Sequence, residues 1–69
     1  MPLASEAIDV VEYDERRTRL FVRFRSGEAY AYGDVSPDVY RAFLEAPSKG
    51  RFFQAKIRDH YPFERLGRR

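Results

Sequence analysis

The residues that could do chemistry cluster late in the chain. Ala46-Pro47-Ser48-Lys49-Gly50-Arg51-Phe52-Phe53 reads as one helix stopping, a turn, and a second helix starting at Ser48. Pro47 cannot continue the first helix, and Ser48 is a good N-cap. The new first turn carries Lys49 and Arg51, the wrong sign for the positive end of a helix dipole. An anion such as a phosphate would reverse that mismatch. The alternative is an ordinary solvated helix end, where such charges cost only a few tenths of a kcal/mol. Lys56, Arg58 and Arg65 follow. On a regular helix Arg51 and Arg58, seven apart, share a face, and such cations would contact phosphates without reading base sequence.

Gly50 is unusual, because glycine in a helix costs roughly 0.5–1 kcal/mol relative to alanine. Close packing of that turn against the preceding helix is the first explanation. Access of a ligand to backbone N–H groups is the second.

Catalytic chemistry finds little to stand on. There is one histidine, His60, and no cysteine, so nucleophilic schemes lack their paired groups. A zinc site would have to draw its remaining ligands from carboxylates. Asp9, Glu12, Asp14 and Glu15 follow no calcium-loop pattern. Gly27, Gly33, Gly50 and Gly67 stand singly and form no phosphate loop. The expectation is a non-catalytic protein with no cofactor and no metal.

The elements that must position the basic cluster can be read from patterning. Ile8 to Tyr13 is a strand. Asp14-Glu15-Arg16-Arg17 is a polar turn. Leu20, Val22 and Phe24 alternate with Arg19, Phe21 and Arg23 as a second strand, and Glu28 to Tyr32 is a third. The hairpin register decides where Tyr30 and Tyr32 point. A two-residue Ser26-Gly27 loop would put both on an open basic face with Phe21 and Arg23. A three-residue Arg25-Ser26-Gly27 loop sets Tyr30 opposite Val22 and Tyr32 opposite Leu20, in the core. Gly27 then occupies the left-handed third position that such loops prefer. The three-residue form is therefore expected.

Ser36, Pro37 and Asp38 start the first helix, with Val35 and Tyr40 at hydrophobic-staple spacing. The second helix is expected over about Lys49 to Asp59, with Phe52, Phe53 and Ile57 inward. Pro62 ends it, and Phe63 and Leu66 pack back as an irregular segment. Residues 1–6 read as a loose arm and 67–69 as a flexible basic tail.

The 69 residues make a single domain, and a chain this short buries only roughly 60% of its unfolded surface. With no cysteine to staple it, the six Phe and five Tyr must supply the core. No apolar stretch nears the roughly 20 residues that span a bilayer, so a cytoplasmic protein without membrane contact is expected. The net charge of +2 conceals an asymmetry. Residues 1–45 hold six Arg against nine acids, and residues 46–69 hold seven cations against Asp59 and Glu64. A basic final third is the footprint expected for a polyanion partner.

From end to end the chain resembles the KTSC family, a small domain named for the C-terminus of some lysyl-tRNA synthetases and found also as a stand-alone bacterial protein. The residues that carry the resemblance are the Tyr13-Asp14 turn, Leu20-x-Val22-x-Phe24-x-Ser26-Gly27, and Tyr30-Ala31-Tyr32, which matches the family's central Tyr-x-Tyr. Val35-Ser36-Pro37, the run Ala46 to Phe53, and Tyr61-Pro62-Phe63-Glu64-Arg65-Leu66 complete it. It covers roughly residues 5–66. The family has no established activity, and its synthetase association implies RNA as a partner. The resemblance marks Tyr30, Tyr32, Phe53, Ser48, Lys49 and Gly50 as characteristic positions.

The resulting expectation is an α+β domain: a three-stranded antiparallel β-meander followed by two short α-helices, in the order β-β-β-α-α. Its expected function is binding RNA, tRNA or another structured RNA, through Ser48, Lys49, Gly50, Arg51, Lys56, Arg58 and Arg65. Tyr30, Tyr32 and Phe53 are expected to be structural. The alternative is a protein-interaction or homodimerisation module using the outer sheet face around Phe21 and Ala31.

Overall fold

The structure, a computed structural model, describes residues 7–68. The arm expected at residues 1–6 lies outside the described residues, as does Arg69. Strands β1 (Ile8–Asp14), β2 (Arg19–Phe24), β3 (Glu28–Tyr32) and β4 (Phe63–Arg68) form one antiparallel sheet in the order β1-β2-β3-β4. Helices α1 (Pro37–Glu45) and α2 (Lys49–Phe52) lie between β3 and β4, and α2 runs directly into a π-helical turn, Phe53–Ile57. No helix among the described residues is long and apolar enough to cross a membrane.

The first three strands follow the expected pattern. Leu20 pairs with Tyr32 and Val22 with Tyr30, the register of the three-residue loop. Gly27 takes φ 99° and donates its N–H to the Phe24 carbonyl at 2.9 Å, a turn that only a residue free of Cβ strain adopts cheaply. In β1 the register slips between Ile8 and Val10. This bulge breaks the two-residue alternation, so Ile8 and Val11, three apart, are both fully buried.

The helices cover the same face. Ser36 caps α1 by accepting the Val39 N–H at 3.2 Å, with Pro37 in the first turn. Tyr13 stacks on Tyr40 at 4.3 Å between centroids and donates its hydroxyl to the Val35 carbonyl at 2.6 Å. That contact ties β1 to the entry of α1. The core is Ile8, Val11, Leu20, Val22 and Tyr32 from the sheet with Val35, Phe43, Phe53 and Ile57 from the helical layer. Burying each such side chain stabilises the fold by about 1.5–3 kcal/mol.

Two expectations fail. The sheet has four strands, because Phe63–Arg68 pairs with β3 instead of packing back irregularly. The strand also takes in Gly67 and Arg68, two of the three residues expected as a tail. A proline just before the strand is compatible with an edge position, and Gly67 at φ 115° sits beside a register shift opposite Ala29 and Tyr30. The second helix is not regular either. Arg58 donates its N–H to the Phe53 carbonyl five residues back, at 2.9 Å. The extra residue of this turn breaks the seven-residue repeat that would stack Arg58 over Arg51.

Candidate nucleic-acid interface and aromatic cleft

Ala46, preceding Pro47, is extended at φ −66°, ψ 138° and ends α1. Its carbonyl accepts a hydrogen bond from Lys49 Nζ at 2.6 Å. Lys49 therefore satisfies an orphan carbonyl at the end of α1. Ser48 is the N-cap of α2 and accepts the Arg51 N–H at 3.3 Å. Gly50 is helical, and a Cβ built there would meet nothing within 4 Å. The packing explanation for this glycine is thereby overturned.

Charge pairing separates the cations into two groups. Arg19 pairs with Glu64 at 3.5 Å, Arg23 and Arg25 with Asp9 at 3.2 and 3.8 Å, and Arg65 with Glu28 at 3.1 Å. Arg17 and Arg41 pair locally with Asp14 and Asp38 at 3.9 and 3.4 Å. Exposed pairs of this kind add little stability, but they neutralise the sheet and α1. Arg51, Lys56 and Arg58 are exposed and make no ion pair among the described residues. Arg65, expected to belong with them, lies on β4 and is neutralised by Glu28.

The remaining expected positions meet elsewhere. Tyr30, Tyr32, Phe53 and Arg58 line one cleft of about 550 Å³, joined by Phe24 and Phe63. The helical layer leaves this side of the sheet's inner face uncovered, and Phe63 is 60% exposed. Phe53 meets Phe24 and Tyr32 edge-on, at 5.4 and 5.3 Å, and Phe63 lies 5.9 Å from Tyr30 and 5.6 Å from Tyr32. Burial raises the Tyr32 phenol pKa. Tyr30 and Asp59 push it in the same direction, while Arg58 opposes them. Gln54 Oε1 accepts from Arg58 Nη1 at 2.9 Å at the rim.

Tyr32 is buried and Tyr30 half-buried, and both form the cleft wall. Sequence reasoning missed Phe24, Gln54, Asp59 and Phe63. Phe24 shares the inward alternation of Leu20 and Val22, which was a usable signal. Phe63 needed the fourth strand.

On the outer face, the Arg19 guanidinium sits 5.2 Å from the Phe21 ring centroid and Ala31 is only 2% exposed. Leu66, 49% exposed, lies beside Phe21 in a shallow depression.

Comparison with known proteins places these features in context. The model of the KTSC domain matches residues 4–61. The chain is 35% identical to a protein of Tsukamurella paurometabola over 60 residues, covering 87% of this chain and 90% of that one. It is 38% identical to an uncharacterised protein of Stutzerimonas stutzeri over 65 residues, covering 93% and 92%. It is also 37% identical, over 54 residues, to part of a lysine–tRNA ligase of Nostoc punctiforme, covering 78% of this chain but 10% of the ligase. A crystal structure of a KTSC domain protein from Yersinia pestis superposes with a TM-score of 0.93 at 31% identity, covering 97% and 94% of the two chains.

Proposed function

The chain belongs to the KTSC domain family, and from that premise we propose that it is a non-catalytic accessory module that binds RNA. The observation that carries this reading is the distribution of unpaired charge. Acids pair with Arg19, Arg23, Arg25 and Arg65 on and beside the sheet and with Arg41 of α1. Among the described residues Arg51, Lys56 and Arg58 make no ion pair along one continuous helical segment, whereas Arg16, also without one, stands alone in the β1–β2 turn. An uncompensated cationic stretch attracts phosphates and binds them through counterion release. The related segment within a lysine–tRNA ligase supports tRNA or another structured RNA as the partner. The outer-face alternative has weaker support, since Ala31 is buried and Arg19 covers Phe21.

The test is fluorescence anisotropy of labelled bulk tRNA at low and physiological salt. Each phosphate neutralised contributes a log–log salt slope of about −0.7 to −0.9. The double variant Arg51→Ala, Lys56→Ala touches no partnered side chain, so it should fold normally. It should flatten the slope by about 1.4 to 1.8 and weaken binding. Absence of binding at both salts, or equal binding by the variant, would defeat the proposal. Salt-insensitive self-association lost in Phe21→Lys would favour the outer face instead.

A further inference from the structure

Resting on the RNA reading above, we infer that the aromatic cleft seats one unstacked nucleobase of a single-stranded RNA segment, a base carrying an exocyclic amino group. The cleft volume of about 550 Å³ falls within the range of sites that enclose a small planar ligand. Its walls are aromatic, and the rings meet edge-on or tilted. Interplanar angles are 86° for Tyr32–Phe53, 73° for Phe24–Phe53 and 71° for Tyr30–Phe63. None of these is a parallel stack such as Tyr13 makes with Tyr40, and Phe63 tilts by 34° to Tyr32 at 5.6 Å. Phe63 is the exposed wall, on an edge strand where natural sheets favour charged side chains and proline. An exposed aromatic ring beside a cleft is the kind of platform on which RNA-binding proteins stack splayed bases.

The cationic segment beside the cleft favours a phosphate-bearing occupant. Arg58 belongs both to the cleft rim and to the unpaired cationic segment that includes Lys56. A base seated among the rings leaves its phosphates at the mouth, where Arg58 meets them. The lining carries both signs, Arg25 and Arg58 with Glu28 and Asp59, so the preference for a phosphate-bearing occupant comes from the continuity of Arg58 with the cationic helical segment.

The polar rim supplies the edge contacts. Gln54 spends its oxygen on Arg58 and keeps its NH₂ donors free. Asp59 lines the cleft and makes no ion pair among the described residues. A carboxylate accepts from the amino group of cytosine, adenine or guanine, and uracil has no such donor.

Three labelled strands of equal length test this: adenylate, uridylate, and an adenylate strand with abasic positions. Wild type should bind adenylate about 5- to 150-fold more tightly than the abasic strand, the range for a single stacked base. Uridylate should fall between them. Phe63→Ala should abolish the advantage over the abasic strand without changing the salt slope. Phe63→Leu should reduce it while keeping an apolar side chain on β4, and circular dichroism confirms that both variants fold. Asp59→Asn should narrow the gap between adenylate and uridylate.

Equal affinity of wild type for adenylate and abasic strands, with salt-dependent binding intact, would overturn the cleft assignment and leave the RNA reading standing. No binding to any strand at low salt, with salt-dependent binding of bulk tRNA intact, would overturn the cleft assignment alone, and loss of tRNA binding as well would overturn both. Capture of a trimethyl-lysine peptide, lost in Phe63→Ala and without any base preference, would assign the cleft to a protein partner and overturn the nucleobase.

Discussion

Replacing Gly50 with alanine should make the protein more stable and a poorer binder. Gly50 lies in the first turn of α2 in helical conformation, so alanine needs no backbone change. The added Cβ would meet no heavy atom within 4 Å, so there is no clash to offset the gain. Gly→Ala in a helix is then worth about 0.5–1 kcal/mol, chiefly because alanine restricts the unfolded chain. In a domain of this size 1 kcal/mol corresponds to about 4–8 °C, so Tm should rise by about 2–8 °C. Thermal unfolding followed by circular dichroism reads this directly. An unchanged or lower Tm would refute the view that the position is sterically open. RNA affinity, measured on the same sample, should fall, because the methyl group stands between Lys49 and Arg51. Higher Tm with unchanged affinity would remove Gly50 from the binding surface and leave its presence without a structural or functional reason.

Other perturbations test the frame that carries the site. Tyr13→Phe keeps the ring on Tyr40 but strips the 2.6 Å hydrogen bond from the carbonyl of fully buried Val35. It should cost about 1–3 kcal/mol, seen as a lower urea midpoint, and an unchanged midpoint would show that water replaces the bond. Gly27→Ala forces a Cβ onto a backbone at φ 99° and should destabilise by at least about 1 kcal/mol, measured the same way. Burial raises the pKa of Tyr13, Tyr32 and Tyr40 above the ordinary 10.0. Their neutral forms are favoured in the fold, so this contribution is fully present below pH 10 and is lost as pH rises through the folded values. Urea midpoints should therefore fall above about pH 10, and tyrosinate absorbance should appear later in folded than in unfolded protein.

The parts of this fold that local chemistry determines were legible in the sequence. Ser36-Pro37 starts α1, Pro47 stops it, and Ser48 restarts a helix because capping and proline geometry act over two or three residues. Gly27 revealed the β2–β3 register for the same reason. The features that were missed depend on distant partners. Phe63-Glu64-Arg65-Leu66 carries too short an alternation, between a proline and a glycine, to announce a strand until β3 offers its edge. The bulge at Ile8–Val10 and the widened turn after Phe53 each shift by one residue, below what periodicity resolves. The charge asymmetry was visible, but which cations remain unpaired was not. Arg65 reaches Glu28, 37 residues away, and only the sheet order brings them together. The cleft draws its walls from three strands and a helical turn, so no single window contains it.

The composition of β4 has a thermodynamic consequence. The other edge strand, β1, is anchored by Ile8 and Val11, both fully buried, whereas Phe63, Glu64, Arg65 and Leu66 are all exposed. Backbone bonds with little apolar burial behind them make β4 the segment that opens at the lowest free energy. Opening β4 withdraws Phe63, one wall of the cleft. Whatever occupies that cleft binds only the closed form, so by linkage it must tighten the strand as it binds. Amide hydrogens of β4 should then report occupancy before any change in global stability does. The edge of the sheet is in that sense the sensor of its own ligand.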